Sequence, residues 1–256
     1  MIEARGLSKH FRDKKRGEIR AVDNVSFTCH PGKIYGLLGA NGAGKTTTLR
    51  MLATILEPTD GTAIVCGYDV VEQPEKVRAS VGFLSTATAL YRRLTAQEFV
   101  EYFGRLNGLD EVTLKKRVDD IFDRLNMNGF RDRRCDKLST GMMQKTSIAR
   151  TLVHDPPVMI FDEPTNGLDI MTARTITAFI RECRDNGKTV IFSTHIMSEV
   201  EKLCDTIGII QSGKLLVEGS LGQLRDKYAE HDLEEIFVKV VTPHYVAEEA
   251  NRHVSA

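Results

Sequence analysis

The sequence predicts an α/β fold with a mostly parallel sheet that is covered by helices on both faces. Short apolar segments alternate with segments of helical spacing, which is typical of such sheets. A glycine-rich loop lies between one of these strands and one of these helices. Between Thr95 and Leu152 glycines become rare and three helices are predicted. We therefore expect a helical subdomain, at about residues 88–155, inserted into the α/β core.

Each element follows from a local pattern. Apolar runs predict strands, 3.6-residue spacing predicts helices, and Pro58-Thr59-Asp60-Gly61 is a strong turn signal. The charged segment Asp13–Glu18 is predicted to be a loop between the first two strands. The predicted strands are Ile2–Leu7, Ile19–Phe27, Lys33–Leu38, Val158–Phe161, Thr189–Ser193 and Thr206–Ile210. The predicted helices are Thr46–Leu56, Thr95–Leu106, Glu111–Leu125, Gly141–Leu152, Met171–Arg184 and Ile196–Leu203.

The last part of the chain carries one apolar helix face. Its residues are spaced i, i+3, i+4, i+7 and i+8, namely Leu233, Ile236, Phe237, Val240 and Val241. This face either packs on its own domain or contacts another subunit. We expect residues 2–228 to form the main domain, and residues 229–256 to form an amphipathic helix followed by a flexible tail.

Composition excludes several classes of protein. Lys+Arg and Asp+Glu both number 35, so no global basic field favours nucleic acid. No stretch approaches the roughly 20 apolar residues that span a bilayer, and the first residues do not form a signal peptide. The five cysteines are scattered, which favours reduced thiols over disulfides or a zinc site.

The glycine-rich loop has the chemistry of a phosphate-binding site. Glycines allow backbone N–H groups to converge on phosphates, and the N-terminus of the following helix favours negative charge. Lys45 is expected to hold the β- and γ-phosphates of a nucleotide, Thr46 to ligate Mg²⁺, and Thr47 to contact the α-phosphate. The loop consists of Gly39, Ala40, Asn41, Gly42, Ala43, Gly44, Lys45 and Thr46.

Two carboxylates predict that the bound nucleotide is hydrolysed. Asp162 ends an apolar strand, and carboxyl ends of parallel strands face ligand crevices. We expect Asp162 to hold Mg²⁺ through water and the adjacent Glu163 to act as general base. The alternative is an acidic cap for the turn that follows, Pro164-Thr165-Asn166-Gly167.

Two further features are weak evidence of a nucleotide site by themselves. They become informative because they occur in the order phosphate loop, Ser139 segment, carboxylate pair and His195 along the chain. Ser139 and Gly141 open a predicted helix, as an N-cap and a second potential anion site. His195 follows a predicted strand, Thr189–Ser193, and could donate a hydrogen bond to the γ-phosphate. Alone, Ser139 would be a plain N-cap and His195 a structural histidine.

The set of motifs resembles the nucleotide-binding subunit of an ABC transporter. More narrowly, it is similar to NatA-type sodium-export ATPases and related subunits of the ABC-2 exporter class. The similarity covers about residues 2 to 228. It rests on Gly39–Thr47 (Walker A), Leu138–Gln144 (signature), Val158–Glu163 (Walker B), Gly167-Leu168-Asp169 (D-loop) and His195 (switch histidine).

The resemblance implies a P-loop NTPase fold of the ABC type, with N-terminal antiparallel strands, that binds ATP and Mg²⁺. It implies that Phe11 stacks on adenine and that Asp169 belongs to the ATP site. It further implies an ATP-dependent, head-to-tail homodimer in which Ser139 and Gly141 complete the partner's site. A polytopic membrane permease would hold this dimer at the cytoplasmic face of the cell membrane, where it powers export.

The sequence departs from the family pattern at three positions. Thr140 and Met142 replace residues of the usual Leu-Ser-Gly-Gly-Gln signature, and Thr86 stands where a glutamine is usual. Other hypotheses remain open: a soluble accessory ATPase that is not coupled to transport, and a subunit that binds nucleotide without hydrolysing it. The sequence does not specify the cargo, and sodium follows from likeness alone.

Overall fold

The computed structural model describes residues 1–13, 17–85 and 90–254, and it describes side chains up to residue 244 except that of residue 13. Its ten strands in this part of the chain are β1 Ile2–Asp13, β2 Gly17–Cys29, β3 Ile34–Leu38, β4 Asp60–Val65, β5 Tyr68–Asp69, β6 Val81–Ser85, β7 Val158–Asp162, β8 Thr189–Thr194, β9 Thr206–Gln211 and β10 Lys214–Gly219. Its helices there are α1 Lys45–Leu52, α2 Pro74–Ser80, α3 Ala96–Leu106, α4 Glu111–Arg124, α5 Thr140–Leu152, α6 Ile170–Asp185, α7 Met197–Leu203, α8 Leu221–Tyr228 and α9 Leu233–Val254, with 3₁₀ turns at Asn128–Phe130 and Cys135–Lys137.

The strands form two sheets. The first has the order β2-β1-β4-β5 and is antiparallel, as expected for the N-terminal strands. The second has the order β10-β9-β3-β8-β7-β6, and only β10 runs antiparallel to its neighbour. The predicted α/β class with a mostly parallel sheet is confirmed.

Both faces of the second sheet are buried because its strands alternate between two cores. On β7, Phe161 points to a core shared with α3, α4, α5 and α6. Ile160 points to the opposite core, shared with α1 and the first sheet. The adjacent β8 repeats this pattern with Phe192 and Ile191. This period of two explains why the strands are continuous apolar runs in the sequence.

The helices between β6 and β7 agree with the prediction. Helix α3 begins after a capping box in which Thr95 and Glu98 satisfy each other's backbone N–H groups. Helix α4 begins after Asp110, whose carboxylate accepts from two backbone N–H groups. The extent of the subdomain, about 88–155, and of the main domain, 2–228, stays a prediction.

Several predicted boundaries were wrong, among them the end of α1 and the limits of the loop between β1 and β2. Helix α1 ends at Leu52 rather than at residue 56, because the chain reverses through Thr54 in the left-handed region, with φ of 58°. The loop predicted at Asp13–Glu18 is shorter, since β1 continues to Asp13 and β2 starts at Gly17. Residues 14–16 lie outside the described part.

The apolar face of α9 packs within its own chain. Leu233 and Ile236 are fully buried in a core that includes Val200 of α7 and Ile209 of β9. This decides between the two alternatives in favour of internal packing. The predicted flexible tail concerns residues beyond 244, and their side chains lie outside the described residues.

Candidate nucleotide site

The phosphate-binding loop connects a buried strand to a helix N-terminus. All residues of β3 are buried, and α1 begins at Lys45, so the last two residues of the loop lie in its first turn. Gly42 and Gly44 have φ values of 82° and 108°, which favour glycine. The first turn of α1, Lys45-Thr46-Thr47-Thr48, contains no acidic residue. The free N–H groups and the helix dipole therefore make this loop a site for an anion.

A cavity of about 270 Å³ lies at this helix N-terminus. Its lining combines the loop with two carboxylates that the sequence predicts at the same site, Asp162 at the end of β7 and the adjacent Glu163. Ala21 of β2 is an additional lining residue. The complete lining is Ala21, Asn41, Gly42, Gly44, Lys45, Thr46, Thr47, Asp162 and Glu163. Gly39 and Ala40 contribute their carbonyl oxygens, which accept from Lys45 Nζ at 2.7 and 3.0 Å.

Asp162 and Thr46 meet at the edge of the cavity. Thr46 Oγ1 donates to Asp162 Oδ1 at 2.9 Å, and Ser193 Oγ donates to the same oxygen at 2.7 Å. Hydroxyl and carboxylate oxygens are ligands that Mg²⁺ accepts. Within the described ranges no cluster of three or more His, Cys, Asp or Glu residues could hold a metal ion. The chain thus offers a small set of hard oxygens, which fits an ion that completes its shell with phosphate and water.

Glu163 lies at the centre of the charged groups. Its Oε1 is 3.2 Å from Lys45 Nζ and 3.4 Å from His195 Nδ1, and its Oε2 accepts from Asn166 Nδ2 at 3.0 Å. Glu163 has a φ of 49°, an unusual value for a residue other than glycine. Its backbone N–H is held by Ser193 O and Oγ, both at 3.1 Å. The strained backbone is thus anchored to β8, and such strain is frequent at functional sites.

The signature residues and Asp169 lie outside the lining of this cavity. Ser139 caps α5, its Oγ accepting from Met142 N at 3.3 Å. Asp169 caps α6 through Met171 N and Thr172 N, both at 3.0 Å. Hydrogen bonds, first from the Thr172 hydroxyl, hold the pKa of Asp169 below its usual value.

The two segments are connected to each other and to the cavity. A Cβ on Gly141 would lie 3.0 Å from Thr172 Oγ1, so the starts of α5 and α6 are in close contact. Gln144 Nε2 donates to Pro164 O at 2.8 Å, next to Glu163. The signature segment is therefore hydrogen-bonded to the residue that follows Glu163.

Phe11 and Thr86 complete the set of predicted positions. Phe11 is exposed on β1, opposite Ile19 of β2 and outside the cavity lining. Its ring lies 5.6 Å from Lys9 Nζ. Ile19 is two residues along β2 from Ala21, which lines the cavity. Thr86 lies outside the described residues.

Sequence reasoning missed Ser193 and Asn166. Ser193 stands opposite Asp162 in the parallel β7–β8 ladder and contacts both carboxylate residues of the site. Its only sequence signal was its place at the end of a strand just before His195. Asn166 had been assigned to a turn, and its side chain instead orients Glu163.

Comparison with known proteins identifies the family. The family model for ABC transporters matches residues 22–166. The chain is 44% identical to the ABC transporter ATP-binding protein NatA of Bacillus subtilis, over 93% of this chain and 97% of that protein. It is 38% identical to the Nod factor export ATP-binding protein I of Paraburkholderia xenovorans, over 88% and 74% of the two chains. It is 36% identical to the daunorubicin/doxorubicin resistance ATP-binding protein DrrA of Streptomyces peucetius, over 88% and 66%.

Solved structures of similar proteins support the same family. An ATP-binding subunit of an ABC transporter superposes with a TM-score of 0.85 at 26% identity, over 94% of this chain and 99% of that one. A dimeric bacterial ABC transporter cassette superposes with a TM-score of 0.79 at 25% identity, over 86% and 98%. The matched segment 22–166 contains the loop, the signature and both carboxylates. The chain therefore belongs to the family of ABC transporter ATP-binding proteins and is an ATPase.

Proposed function

We propose that this ATPase powers an ABC exporter through a separate membrane subunit, and that it works as an ATP-dependent, head-to-tail homodimer. One observation carries the proposal: a phosphate-binding helix N-terminus, an Mg²⁺-type oxygen pair and a base candidate converge on one cavity. The names of three relatives, which refer to a transporter, to Nod factor export and to drug resistance, support export.

The chain binds ATP mainly through its phosphates. Lys45 Nζ already has three oxygen neighbours, Gly39 O, Ala40 O and Glu163 Oε1. A triphosphate takes the place of Glu163, because its larger negative charge competes for the ammonium group. The backbone of Gly39–Thr46 cradles the phosphates, Thr47 contacts the α-phosphate, and Phe11 stacks on adenine.

Thr46 and Asp162 are the residues that would hold Mg²⁺. The ion would neutralise charge on the β- and γ-phosphates, which lowers the cost of bringing a nucleophile to phosphorus. Asp162 is prepared for this role because Ser193 fixes its carboxylate from the neighbouring strand.

Hydrolysis depends on Glu163 and His195. Glu163, released from Lys45, accepts a proton from the water whose oxygen forms a bond to the γ-phosphorus. The bond between that phosphorus and the β–γ bridging oxygen breaks, and ADP leaves with this oxygen. His195, 3.4 Å from the Glu163 carboxylate, donates a hydrogen bond to the γ-phosphate as its charge redistributes. Asn166 keeps Glu163 oriented.

A second copy completes each site. Ser139, Gly141 and Asp169 lie outside the cavity lining of their own chain, at two exposed helix N-termini. In a head-to-tail dimer these termini contribute N–H groups to the γ-phosphate bound by the partner's Lys45. ATP then holds the dimer together, and hydrolysis lets it open.

A polytopic permease is the remaining partner. Over the described residues, the chain contains no helix that is long and apolar enough to pass through a membrane. The proposed transport therefore needs a membrane subunit, and the ATPase would sit on that subunit at the cytoplasmic face. Sodium is the proposed cargo because of the similarity to NatA.

Glu163→Gln tests the catalytic assignment. The amide cannot accept a proton, so phosphate release should fall by roughly 10²- to 10⁴-fold. ATP binding should persist, and an ATP-dependent dimer should accumulate on a sizing column. Glu72→Gln, an exposed glutamate away from the cavity, is the matched control. Hydrolysis at the normal rate in Glu163→Gln would exclude Glu163 as the base.

A further inference from the structure

Glu199 of α7 connects two segments of the chain through its carboxylate. Its Oε1 accepts a hydrogen bond from Thr165 Oγ1 at 2.5 Å, and its Oε2 accepts one from Thr194 Oγ1 at 2.8 Å. The two threonines are only 7% and 2% exposed, so both hydroxyls need a partner inside the protein. Glu199, Thr165 and Thr194 are called the carboxylate bridge below. One planar group thus fixes the distance between two hydroxyls that are far apart in the sequence.

Thr165 belongs to the turn that follows Glu163. Asn166 N donates to Glu163 O at 3.2 Å and closes this turn around Thr165. The side chain of Asn166 also donates to Glu163 Oε2 at 3.0 Å. A shift of Thr165 would therefore move the residue that orients the Glu163 carboxylate.

Thr194 holds the backbone on both sides of His195. Its hydroxyl, which donates to Glu199, also accepts from Ile196 N at 3.0 Å. This bond bends the chain around His195, as threonine hydroxyls do in turns. The His195 side chain is 39% exposed, so few neighbours restrain the ring, and its position depends mainly on this backbone.

Glu199 lies outside the nucleotide cavity. It lines a separate cavity of about 670 Å³ between α6 and α7, whereas Glu163 lines the cavity at the phosphate-binding loop. Glu163 Oε1 and His195 Nδ1 meet at 3.4 Å. The segments that carry these two atoms are joined a second time by the carboxylate bridge. Glu199 can therefore influence hydrolysis only through the position of other residues.

We propose that Glu199 is a positioning residue for ATP hydrolysis: its bridge holds the turn after Glu163 and the turn around His195 at the separation that lets both side chains reach the γ-phosphate. The proposal rests on the roles proposed above for Glu163 and His195. Glu199 also lies in the first turn of α7, where a negative charge stabilises a helix. That stabilising role alone would change the unfolding temperature and leave the turnover of the folded protein intact.

Glu199→Ala removes both acceptors and tests the proposal on the full chain. The turnover number for phosphate release should fall about tenfold, because catalytic groups lose rate steeply when they are displaced. Binding of a fluorescent ATP analogue should stay within about twofold, since the phosphate-binding loop is not part of the bridge. Glu201→Ala is the matched control, because Glu201 is an exposed glutamate of the same helix that pairs with Arg225 at 3.1 Å. Normal turnover in Glu199→Ala, or an equal loss in Glu201→Ala, would overturn the proposal.

Smaller changes assign the effect to the bridge. Thr165→Val removes one hydroxyl and keeps the shape of the side chain, so turnover should fall by at least about threefold. Added to Glu199→Ala, it should cause no further loss, because both changes break the same contact. Glu199→Gln keeps one oxygen acceptor and should retain more activity than Glu199→Ala. Losses that multiply in the double variant would contradict the bridge, and so would normal turnover in Thr165→Val, even if Glu199→Ala fails to fold.

The imidazole signal of His195 in nuclear magnetic resonance separates positioning from general stability. In protein with isotope-labelled histidine, His195→Gln identifies this signal by its loss. Glu199→Ala should shift or broaden the His195 signal and leave those of His10 and His154 in place. Glu201→Ala should leave the His195 signal unchanged. A His195 signal that does not respond to Glu199→Ala would overturn the proposal.

The same measurements distinguish failure of the bridge from failure of the proposed function. If Glu163→Gln is inactive but Glu199→Ala is fully active, the bridge proposal fails and the role of Glu163 stands. If Glu199→Ala moves the His195 signal while Glu163→Gln hydrolyses ATP at the normal rate, the bridge still positions His195 and the proposed role of Glu163 fails.

Discussion

The two groups of proposed site residues lie in very different surroundings. The phosphate half, defined as Lys45, Thr46, Asp162 and Glu163, is largely buried: Lys45 and Asp162 are each only 4% exposed. Its side chains bond directly to one another, with Thr46 and Lys45 each contacting one carboxylate. The signature half, defined as Ser139, Gly141 and Asp169, lies at exposed helix starts. Its side-chain hydrogen bonds stay within its own helix starts: Ser139 and Asp169 cap α5 and α6, and Asp169 also accepts from the Thr172 hydroxyl.

This difference shows how much of the site one chain can build. Buried polar groups must be paired, so the phosphate half is fixed by its own network before nucleotide arrives. Capped helix starts keep the signature half rigid while several backbone N–H groups still point outward. One chain can therefore hold a triphosphate by its phosphate half. We expect the signature half of a second copy to be needed to enclose that triphosphate.

Among the variants that compare the two halves, removal of the cation of the phosphate half should have the largest effect. Lys45→Ala takes away the ammonium group that contacts two carbonyls and Glu163. We expect phosphate release to fall by roughly 10²- to 10³-fold. Binding of a fluorescent ATP analogue to the single chain should weaken by at least about tenfold, because charge-assisted bonds to phosphate are lost.

Lys76→Ala is the control for this variant, since its ammonium group lies over the Tyr68 ring and away from the cavity. Phosphate release and binding of the ATP analogue should both be unchanged in Lys76→Ala. If Lys45→Ala bound the analogue as tightly as the unmodified chain, the assignment of the phosphate half would be wrong.

A negative charge in the signature half should separate binding from hydrolysis. Ser139→Asp keeps an N-cap residue on α5 but places a carboxylate where a partner's γ-phosphate is expected. Binding of the ATP analogue to the single chain should stay within about twofold, whereas phosphate release and the ATP-dependent dimer should fall by roughly 10²-fold.

Ser139→Asn provides the neutral control, because asparagine caps helices as well as aspartate and has the same shape. It should lose much less activity than Ser139→Asp. Equal losses in the two variants would mean that the shape of the cap, and not its charge, matters.

Mixing two inactive variants should restore one complete site in each mixed dimer. In a head-to-tail dimer of Lys45→Ala with Ser139→Asp, one site contains both defects and the other contains none. Half of the dimers in an equal mixture are of this kind, so phosphate release should recover to about a quarter of the normal rate if sites act independently. Each variant alone is the control. Absence of recovery in a mixture that forms mixed dimers would contradict sites shared between two copies.

The phosphate half could be predicted from sequence because its signals are local. The run of apolar residues before Asp162 and the glycines before Lys45 each fix a strand end, and parallel strand ends share one sheet edge. Ser193 could not be found in this way. Its contact with Asp162 depends on the register between β7 and β8, which lie about 30 residues apart in the chain.

Outside the site, boundaries were predicted poorly where the apolar signal was absent. Strands β1 and β2 continue past their apolar parts because His10 pairs with Arg20 and Phe11 with Ile19 in a hairpin. The exposed faces of these pairs resemble loop sequence. Strands β4, β5, β6 and β10 were not predicted either, and β5 has only two residues, Tyr68 and Asp69. The contacts of β6 could not be predicted either, since the side chains that bond to its carbonyls are distant in the chain: Arg150 belongs to α5, and His154 follows that helix.

The smallest expected effect tests how the signature half is held together. A Cβ at Gly141 would lie 3.0 Å from Thr172 Oγ1 and 3.4 Å from its Cγ2, and the same Oγ1 donates to Asp169 at 2.6 Å. Gly141→Ala should therefore displace Thr172 and Asp169 by a few tenths of an ångström and lower phosphate release about fivefold, the size of a typical coupling between contacting residues. The midpoint of thermal unfolding should not fall, because alanine favours a helix over glycine.

Thr172→Ala in the same chain decides how this loss arises. The change removes both crowded atoms, while Asp169 keeps its bonds to Met171 N and to the backbone N of residue 172. If crowding against Thr172 is the cause, the double variant should hydrolyse ATP nearly as fast as Thr172→Ala alone. If the new methyl group instead meets the second copy directly, the fivefold loss should persist in the double variant. Comparison of the two single variants with the double variant therefore measures whether the two exposed helix starts act as one unit or meet the partner's nucleotide separately.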